Sequence, residues 1–217
     1  SVITKTKQEQ SQLFSDLPAN KAGVLPSTRY QGSKYKILKW IDYYTKDLKF
    51  DSVLDAFGGT GCVGYMFKKN DKQVFYNDSL KFNHYVGLGI IENSETTLNN
   101  DDINFILQKH PKVKYPTFIY DTFHDIYFTD EENKWLDVVI TNIGQIEDKY
   151  KQALAYYALF QACIIKRPYN LFHRKNLYIR TAEVERSFGN KKTWDTPFED
   201  HFRKFIEEGN NAVFNNG

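Results

Sequence analysis

A glycine turn lies between two acidic residues, and this spacing suits a nucleotide-like ligand. Asp55 ends an apolar run, Gly58, Gly59 and Gly61 follow it, and Asp78 ends the next apolar run, QVFYND. Glycines let a ligand approach the backbone where a Cβ would clash, and they expose the free N–H groups of the following helix. In nucleotide-binding βαβ folds, an acid after the second strand binds the ribose hydroxyls. The sequence therefore predicts a nucleotide-type site on this turn.

The acid that precedes the turn narrows the choice of ligand. A dinucleotide fingerprint requires G-x-G-x-x-G, which Gly59, Gly61 and Gly64 match loosely. The carboxylate of Asp55 would repel a pyrophosphate, but it would attract an ammonium group, such as that of the methionine part of S-adenosylmethionine (SAM). The structural alternative is an ordinary strand-to-helix turn. Because acids flank the turn on both sides, we favour a ligand site.

A second region carries a concentrated positive charge. Residues 166–194 contain eight Lys and Arg but only two Glu, although the whole chain has a net charge of +2. Such asymmetry favours a surface for a polyanion, whose phosphates Lys and Arg would neutralise, and the alternative is a solvated basic loop. The residues predicted to contact the polyanion are Arg174, Lys175, Arg180, Arg186, Lys191 and Lys192.

The predicted elements divide the chain into three parts. A loose arm over 1–25 precedes a ligand-binding part over 26–100, in which strands over 52–57 and 73–78 and the helix between them form a βαβ unit. Residues 101–217 are predicted to form a mostly helical and basic recognition region. Thr129 and Glu132 have the spacing of a capping box that begins one of its helices. The segment over 115–127 is aromatic and is predicted to be irregular, like the basic stretch.

Composition excludes several classes of protein. No apolar stretch reaches the ~18 residues that a bilayer span needs, and the start SVITKTKQEQ lacks the apolar core of a signal peptide. We therefore expect a cytoplasmic protein. Cys62 and Cys163 are too few for a disulfide framework or a zinc site, so we expect no metal.

Two motifs resemble those of a known enzyme family. The pattern Asp55-x-Phe57-x-Gly59-x-Gly61 resembles the SAM-binding motif of amino-methyltransferases that act on DNA. Upstream, RYQGSK over 29–34 resembles the N-terminal motif of the Dam-like, D12-class adenine methyltransferases. This motif precedes the glycine turn, which is typical of the α-type order, where target recognition lies between the cofactor motifs and the catalytic motif.

Further segments extend the resemblance over residues 26–217. YFTDEEN over 127–133 is similar to a segment of these enzymes, and the basic stretch is similar to a restriction–modification subset. The resemblance implies a Rossmann-like SAM-dependent methyltransferase core with a partial sheet. It also implies methyl transfer from SAM to adenine N6 in a specific duplex DNA sequence. The residues that it implies for SAM binding are Tyr30, Gly32, Lys34, Asp55, Phe57, Gly59, Gly61 and Asp78.

One expected motif is absent from the sequence. These enzymes need a D/N-P-P-Y/F tetrapeptide that binds the target amine while its aromatic residue stacks on the flipped base, but all six prolines here are isolated. We therefore expect no catalytic residue and no activity in the isolated chain, with the motif supplied by a C-terminal remainder or a second chain. The alternatives are an RNA or cytosine-N4 methyltransferase and a non-catalytic subunit that binds SAM and DNA.

Overall fold

The glycine turn lies inside the βαβ unit that the sequence predicts. The structure is a computed structural model that describes residues 23–26, 32–168, 175–182 and 190–216. Two strands pair in parallel, with Ser52 opposite Gln73 and Asp55 opposite Tyr76. The elements of this unit are a 3-10 turn (Lys34–Ile37), α1 (Leu38–Thr45), β1 (Ser52–Asp55), α2 (Cys62–Lys69), β2 (Gln73–Tyr76), α3 (Lys81–Val86) and a π-helical segment (Gly87–Glu92).

The rest of the described chain is helical, so the fold is α/β, as predicted, with a small sheet. Its helices are α4 (Asn100–Leu107), α5 (Phe118–Phe123), α6 (Asp130–Ile143), α7 (Lys149–Ile165), α8 (Leu177–Thr181), α9 (Asn190–Asp195) and α10 (Phe198–Ala212). The long helix α7 packs against α10, α3, α6 and the π-helical segment. Its buried alanines, such as Ala155 and Ala158, and the buried Phe202 and Ile206 of α10 belong to one hydrophobic core. None of the helices in the described ranges combines the length and the apolar character that a membrane crossing requires.

The two faces of the sheet have different surroundings. Val53 and Val74 are partly buried and pack against the core, whereas Leu54 and Phe75 remain 64% and 54% exposed. This alternation follows from the period of two in a strand. Apolar runs of this kind are typical of strands that are buried on both faces, but within the described residues only one face of this sheet is covered.

Two stretches that the sequence predicts to be irregular contain short helices. Within 115–127, residues Phe118–Phe123 form α5, because the carboxylate of Asp137 accepts hydrogen bonds from the N–H groups of Ile119 and Tyr120 at 2.8 and 3.0 Å. Within the basic stretch, α8 begins where the carbonyl of Ile126 accepts from two successive N–H groups. Both helix starts are satisfied by groups distant in sequence, so that local periodicity does not reveal them.

The described part of the N-terminal arm is packed against the fold. Gly23 and Leu25 are buried, and the N–H of Val24 donates to the carbonyl of Asn211 at 3.3 Å. The predicted loose arm, 1–25, therefore includes residues that contact the end of α10, while residues 1–22 lie outside the described ranges.

Candidate functional site

The backbone of the glycine turn has a shape that requires glycine at two positions. Gly59 and Gly61 have φ values of 53° and 74°, in the left-handed region, and Gly61 is the N-cap of α2. A Cβ added at Gly59 would meet no protein atom within 4 Å. The space beside this glycine is therefore open to a ligand rather than filled by a side chain, and the residues present form a cradle.

Asp55 places a carboxylate against the helix that begins at this turn. It is buried, and its Oδ2 accepts a hydrogen bond from the N–H of Gly64, in the first turn of α2, at 3.1 Å. Burial raises the pKa of Asp55 above its ordinary value, while the nearby charge of Lys34 opposes that rise. A ligand ammonium would compensate the desolvated charge, so the chemistry of this group suits the methionine part of SAM.

Asp78 connects the second strand to the same turn. Its Oδ2 accepts from the N–H of Gly59 at 2.9 Å, and its Oδ1 accepts from the N–H of Leu80 at 2.9 Å. Burial alone would raise the pKa of this carboxyl, but the hydrogen bonds from Leu80, Asn83 and Gly59 outweigh it and hold the pKa below its ordinary value. Asp78 is therefore kept ionised, as an acceptor for hydroxyl groups should be.

The N-terminal motif reaches the glycine turn from the other side. Lys34 Nζ donates to the carbonyl of Phe57 at 2.6 Å, and the hydroxyls of Ser33 and Thr60 lie 3.2 Å apart. Gly32, with φ at 87°, turns the chain just before these contacts. The ring of Phe57 is 77% exposed beside the turn. The structure thus brings the predicted SAM-binding residues together, except Tyr30, which lies outside the described residues.

Tyr76 belongs to this site, although the sequence did not indicate it. Its hydroxyl donates to the carbonyl of Gly59 at 2.6 Å. Its ring occupies the space of a side chain at Gly58 and at Gly87, where an added Cβ would lie 2.1 and 2.5 Å from ring atoms. An aromatic residue two positions before Asp78 is the only sequence signal. The role of Tyr76 depends on the close approach of two glycines from different elements, which the sequence alone does not show.

The basic stretch divides into buried and exposed cations. Lys175, Lys191 and Lys192 are exposed, as a DNA-binding role requires. Lys175 forms an ion pair with Asp125, and Lys191 forms one with Asp195 at 2.9 Å. The last two predicted DNA-binding residues, Arg174 and Arg186, lie outside the described residues.

Arg180 does not fit the prediction of a DNA-contacting surface. Its side chain is buried, and its guanidinium forms two hydrogen bonds with the carboxylate of Glu132, both at 2.7 Å. Lys166, which contributes to the predicted positive charge, is also buried and pairs with Glu132 at 2.7 Å. Arg167 is buried as well, with its guanidinium 4.5 Å from the centre of the Tyr127 ring. Three charges that the sequence assigns to a surface are therefore inside the fold.

The fold thus combines a glycine turn that two carboxylates contact with a separate region of exposed cations, which are the features expected of an enzyme that binds a nucleoside-type cofactor and a polyanion. The sequence profile of the D12 class N6 adenine-specific DNA methyltransferases matches residues 30–217. The chain belongs to this family. The family resemblance of the sequence motifs is therefore confirmed. Type II enzymes of this class use SAM as the methyl donor.

Two curated relatives are type II methyltransferases. The chain is 34% identical to M2.HphI of Haemophilus parahaemolyticus over 198 residues, which is 88% of this chain and 57% of that protein. It is 29% identical to M.NlaIII of Neisseria lactamica over 142 residues, which is 60% of this chain and 42% of that protein. The chain thus spans about half the length of these relatives. No solved structure matches it.

Proposed function

We propose that this chain is the SAM-binding and DNA-recognition part of a site-specific DNA methyltransferase of the restriction–modification type, which methylates adenine N6 in duplex DNA. The observation that carries the proposal is the open space at Gly59, in a turn where Asp78 accepts from the N–H of Gly59 and Asp55 accepts from the N–H of Gly64. The charged and hydrogen-bonding groups of this site fit SAM, and they therefore support what membership of the family implies.

Each group of the cradle has a separate task in this proposal. Asp55 binds the ammonium of the methionine part, and the backbone from Phe57 to Gly61 holds the same part of the molecule. Asp78 accepts hydrogen bonds from the ribose hydroxyls. Lys34 fixes the turn through the carbonyl of Phe57. When bound, SAM supplies an electrophilic methyl group.

The exposed cations would contact DNA phosphates, which carry no information about the base sequence. Lys175, Lys191 and Lys192 would neutralise phosphates and so position the duplex. The target adenine must leave the base stack before its amine can react. Phosphate contacts therefore set the register, while base reading falls to other groups of the recognition region.

The uncovered face of the sheet supports a further part of the proposal. Leu54 and Phe75 expose apolar surface on neighbouring strands, and large exposed patches mark interfaces. We infer that the C-terminal part of the enzyme, in cis or as a second chain, covers this face and supplies the tetrapeptide that this sequence lacks. Together with the C-terminal part, this sheet would form the larger Rossmann-like core that the resemblance implies.

Calorimetry with S-adenosylhomocysteine tests the cofactor proposal. The chain should bind this ligand, and Asp55→Asn should weaken binding about 100-fold or more, since it removes a desolvated charge from the ammonium contact. Binding should also weaken on acidification, and from a higher pH than for an ordinary carboxyl, because burial raises the pKa of Asp55. Asp42→Asn removes a carboxylate on α1 and serves as the control. Binding of NAD without a response to S-adenosylhomocysteine would refute the assignment.

A further inference from the structure

Glu132 holds together a buried cluster of charges at the beginning of α6. Its carboxylate accepts two hydrogen bonds from Arg180, and it forms an ion pair with Lys166. It also accepts from the N–H of Thr129 at 3.0 Å, which closes the capping box of α6. Burial alone would raise the pKa of Glu132, but Arg180 and Lys166 outweigh it and hold the pKa below its ordinary value.

The two cations of this cluster also bind backbone carbonyls at the junction of α9 and α10. Lys166 Nζ donates to the carbonyl of Thr196 at 2.6 Å, and Arg180 Nη2 donates to that of Trp194 at 3.3 Å. Lys166 follows the end of α7, and Arg180 lies in α8. Glu132 of α6 is therefore connected to the end of α7, to α8 and to the α9–α10 junction through two side chains.

These connections join the elements that carry the exposed lysines. Lys175 lies just before α8, the helix that contains Arg180. Lys191 and Lys192 lie in α9, and the end of this helix is held by the hydrogen bonds that Lys166 and Arg180 donate to the carbonyls of Thr196 and Trp194. Phosphates along a duplex have fixed spacing, so cations that contact several of them must keep fixed separations. The cluster connects both elements, as the carbonyl of Ile126 and the ring of His201 also connect each of them to the rest of the fold.

Stability alone does not explain a cluster of this composition. Apolar residues of similar volume usually replace a buried ion triad without loss of stability, so such a triad is weak evidence for a stabilising role. The two cations share one carboxylate, and desolvation lowers the pKa of Lys166 despite its pairing with Glu132. The hydrogen bonds of this cluster have defined directions, which apolar contacts lack, so the cluster can fix the relative positions of the elements that it joins.

We propose that Glu132 is a positioning residue for DNA binding, which fixes α8 and the α9–α10 junction so that their exposed lysines contact the duplex together. The proposal rests on the proposed function, because it assumes that these lysines contact DNA. Glu132 itself does not touch the duplex. It acts through Arg180 and Lys166.

The test compares two acids that occupy the same position in two capping boxes. Asp102 is the third residue of α4, as Glu132 is of α6, and it pairs with Lys151 of α7 at 2.9 Å. Lys151 lies in no element that carries the exposed lysines of the basic stretch. Glu132→Gln and Asp102→Asn therefore remove the same charge from equivalent places, and only the first loosens the basic region.

The measurement is the affinity for a random-sequence duplex as a function of salt, with S-adenosylhomocysteine binding as the control for folding. Removal of a negative charge should by itself strengthen DNA binding slightly or leave it unchanged. We expect Asp102→Asn to show this result. Glu132→Gln should instead weaken it roughly tenfold and lower the salt slope by about one phosphate contact, because the lysines no longer act together. Its affinity for S-adenosylhomocysteine should stay unchanged.

A second variant keeps the proposal falsifiable if Glu132→Gln fails to fold. The triple change Glu132→Leu, Lys166→Met and Arg180→Met replaces the cluster by apolar groups, and it should bind S-adenosylhomocysteine normally while losing DNA affinity. Unchanged DNA affinity and salt slope in either folded variant would overturn the proposal. Loss of S-adenosylhomocysteine binding in both would also overturn it, since the cluster would then support the whole fold. If the unaltered chain binds no duplex, the proposed function itself fails.

Discussion

The cofactor cradle and the Glu132 cluster differ in how the chain specifies them. The shape of the cradle follows from positive φ values at Gly59 and Gly61, which lie two positions apart in the sequence. The cluster joins Glu132 to Lys166 and Arg180, which are distant from it along the chain. A backbone conformation that requires glycine is visible in the sequence. A charged residue, in contrast, is the same residue type whether it is buried or exposed, so the sequence does not show which.

The largest effect is expected at the cradle, where Gly59→Ala should nearly abolish ligand binding. The new Cβ would meet no protein atom, so the chain should still fold, with a cost of about 1–2 kcal/mol for a left-handed alanine. The Cβ would occupy the space proposed for the ligand, and we expect S-adenosylhomocysteine affinity to fall at least about 100-fold by calorimetry.

Gly58→Ala provides the matched contrast. Its Cβ would lie 2.1 Å from the ring of Tyr76, so this variant should lose stability rather than affinity alone. If the two alanine variants behaved alike in thermal unfolding and in ligand binding, the open space at Gly59 would not be the ligand site.

A pair of buried lysines extends the comparison to stability. Lys166 pairs with a carboxylate, but Lys68 donates to the carbonyl of Asn93 at 2.8 Å, and burial lowers the pKa of Lys68 to about 8. The unfolded chain, with an ordinary lysine pKa of about 10.5, binds more protons between these values, so Lys68 makes the free energy of unfolding rise as pH increases from 8 to 10.5. The rise should amount to at most about 3 kcal/mol.

Lys68→Met should remove this contribution to the pH dependence. Urea unfolding of the two proteins across pH 7–10 measures it as a difference, so that titration of the tyrosines cancels. Lys39→Met, on exposed α1, controls for the loss of a surface charge. Parallel pH profiles for the native chain and Lys68→Met would show that the buried ammonium is already compensated.

The exposed part of the basic stretch should show a smaller effect. Replacement of Lys191 and Lys192 by Ala should weaken binding of all duplexes alike by several-fold and lower the salt slope, because phosphate contacts carry no sequence information. Fluorescence anisotropy over a range of salt concentrations measures both quantities. A loss confined to one DNA sequence would instead assign these lysines to base reading.

The smallest effect is expected for Tyr76→Phe. This change keeps the ring against Gly58 and Gly87 and removes one hydrogen bond to the carbonyl of Gly59. The cost should be about 1 kcal/mol, seen as a few-fold weaker binding of S-adenosylhomocysteine. A lower melting temperature with unchanged affinity would limit Tyr76 to packing.

The sequence predicted the parts of the molecule whose requirements are local. The βαβ unit, the turn between Asp55 and Asp78 and the capping box of Thr129 and Glu132 were all predicted correctly. The short helix α5 was missed because its N-terminus is capped by Asp137, a side chain of the following helix. The fate of Arg180 was missed because no local pattern distinguishes a buried arginine from one that contacts DNA.

The proposed function gives this chain cofactor binding and DNA recognition in an adenine methyltransferase, and it assigns the tetrapeptide to another part of the enzyme. Incorporation of labelled methyl groups from SAM into duplex DNA tests this proposal, with the chain alone and after addition of the C-terminal part, in cis or as a separate chain. We predict N6-methyladenine only in the second case, and none with Asp55→Asn. Robust methylation by the isolated chain, or a product methylated at cytosine N4, would contradict the account.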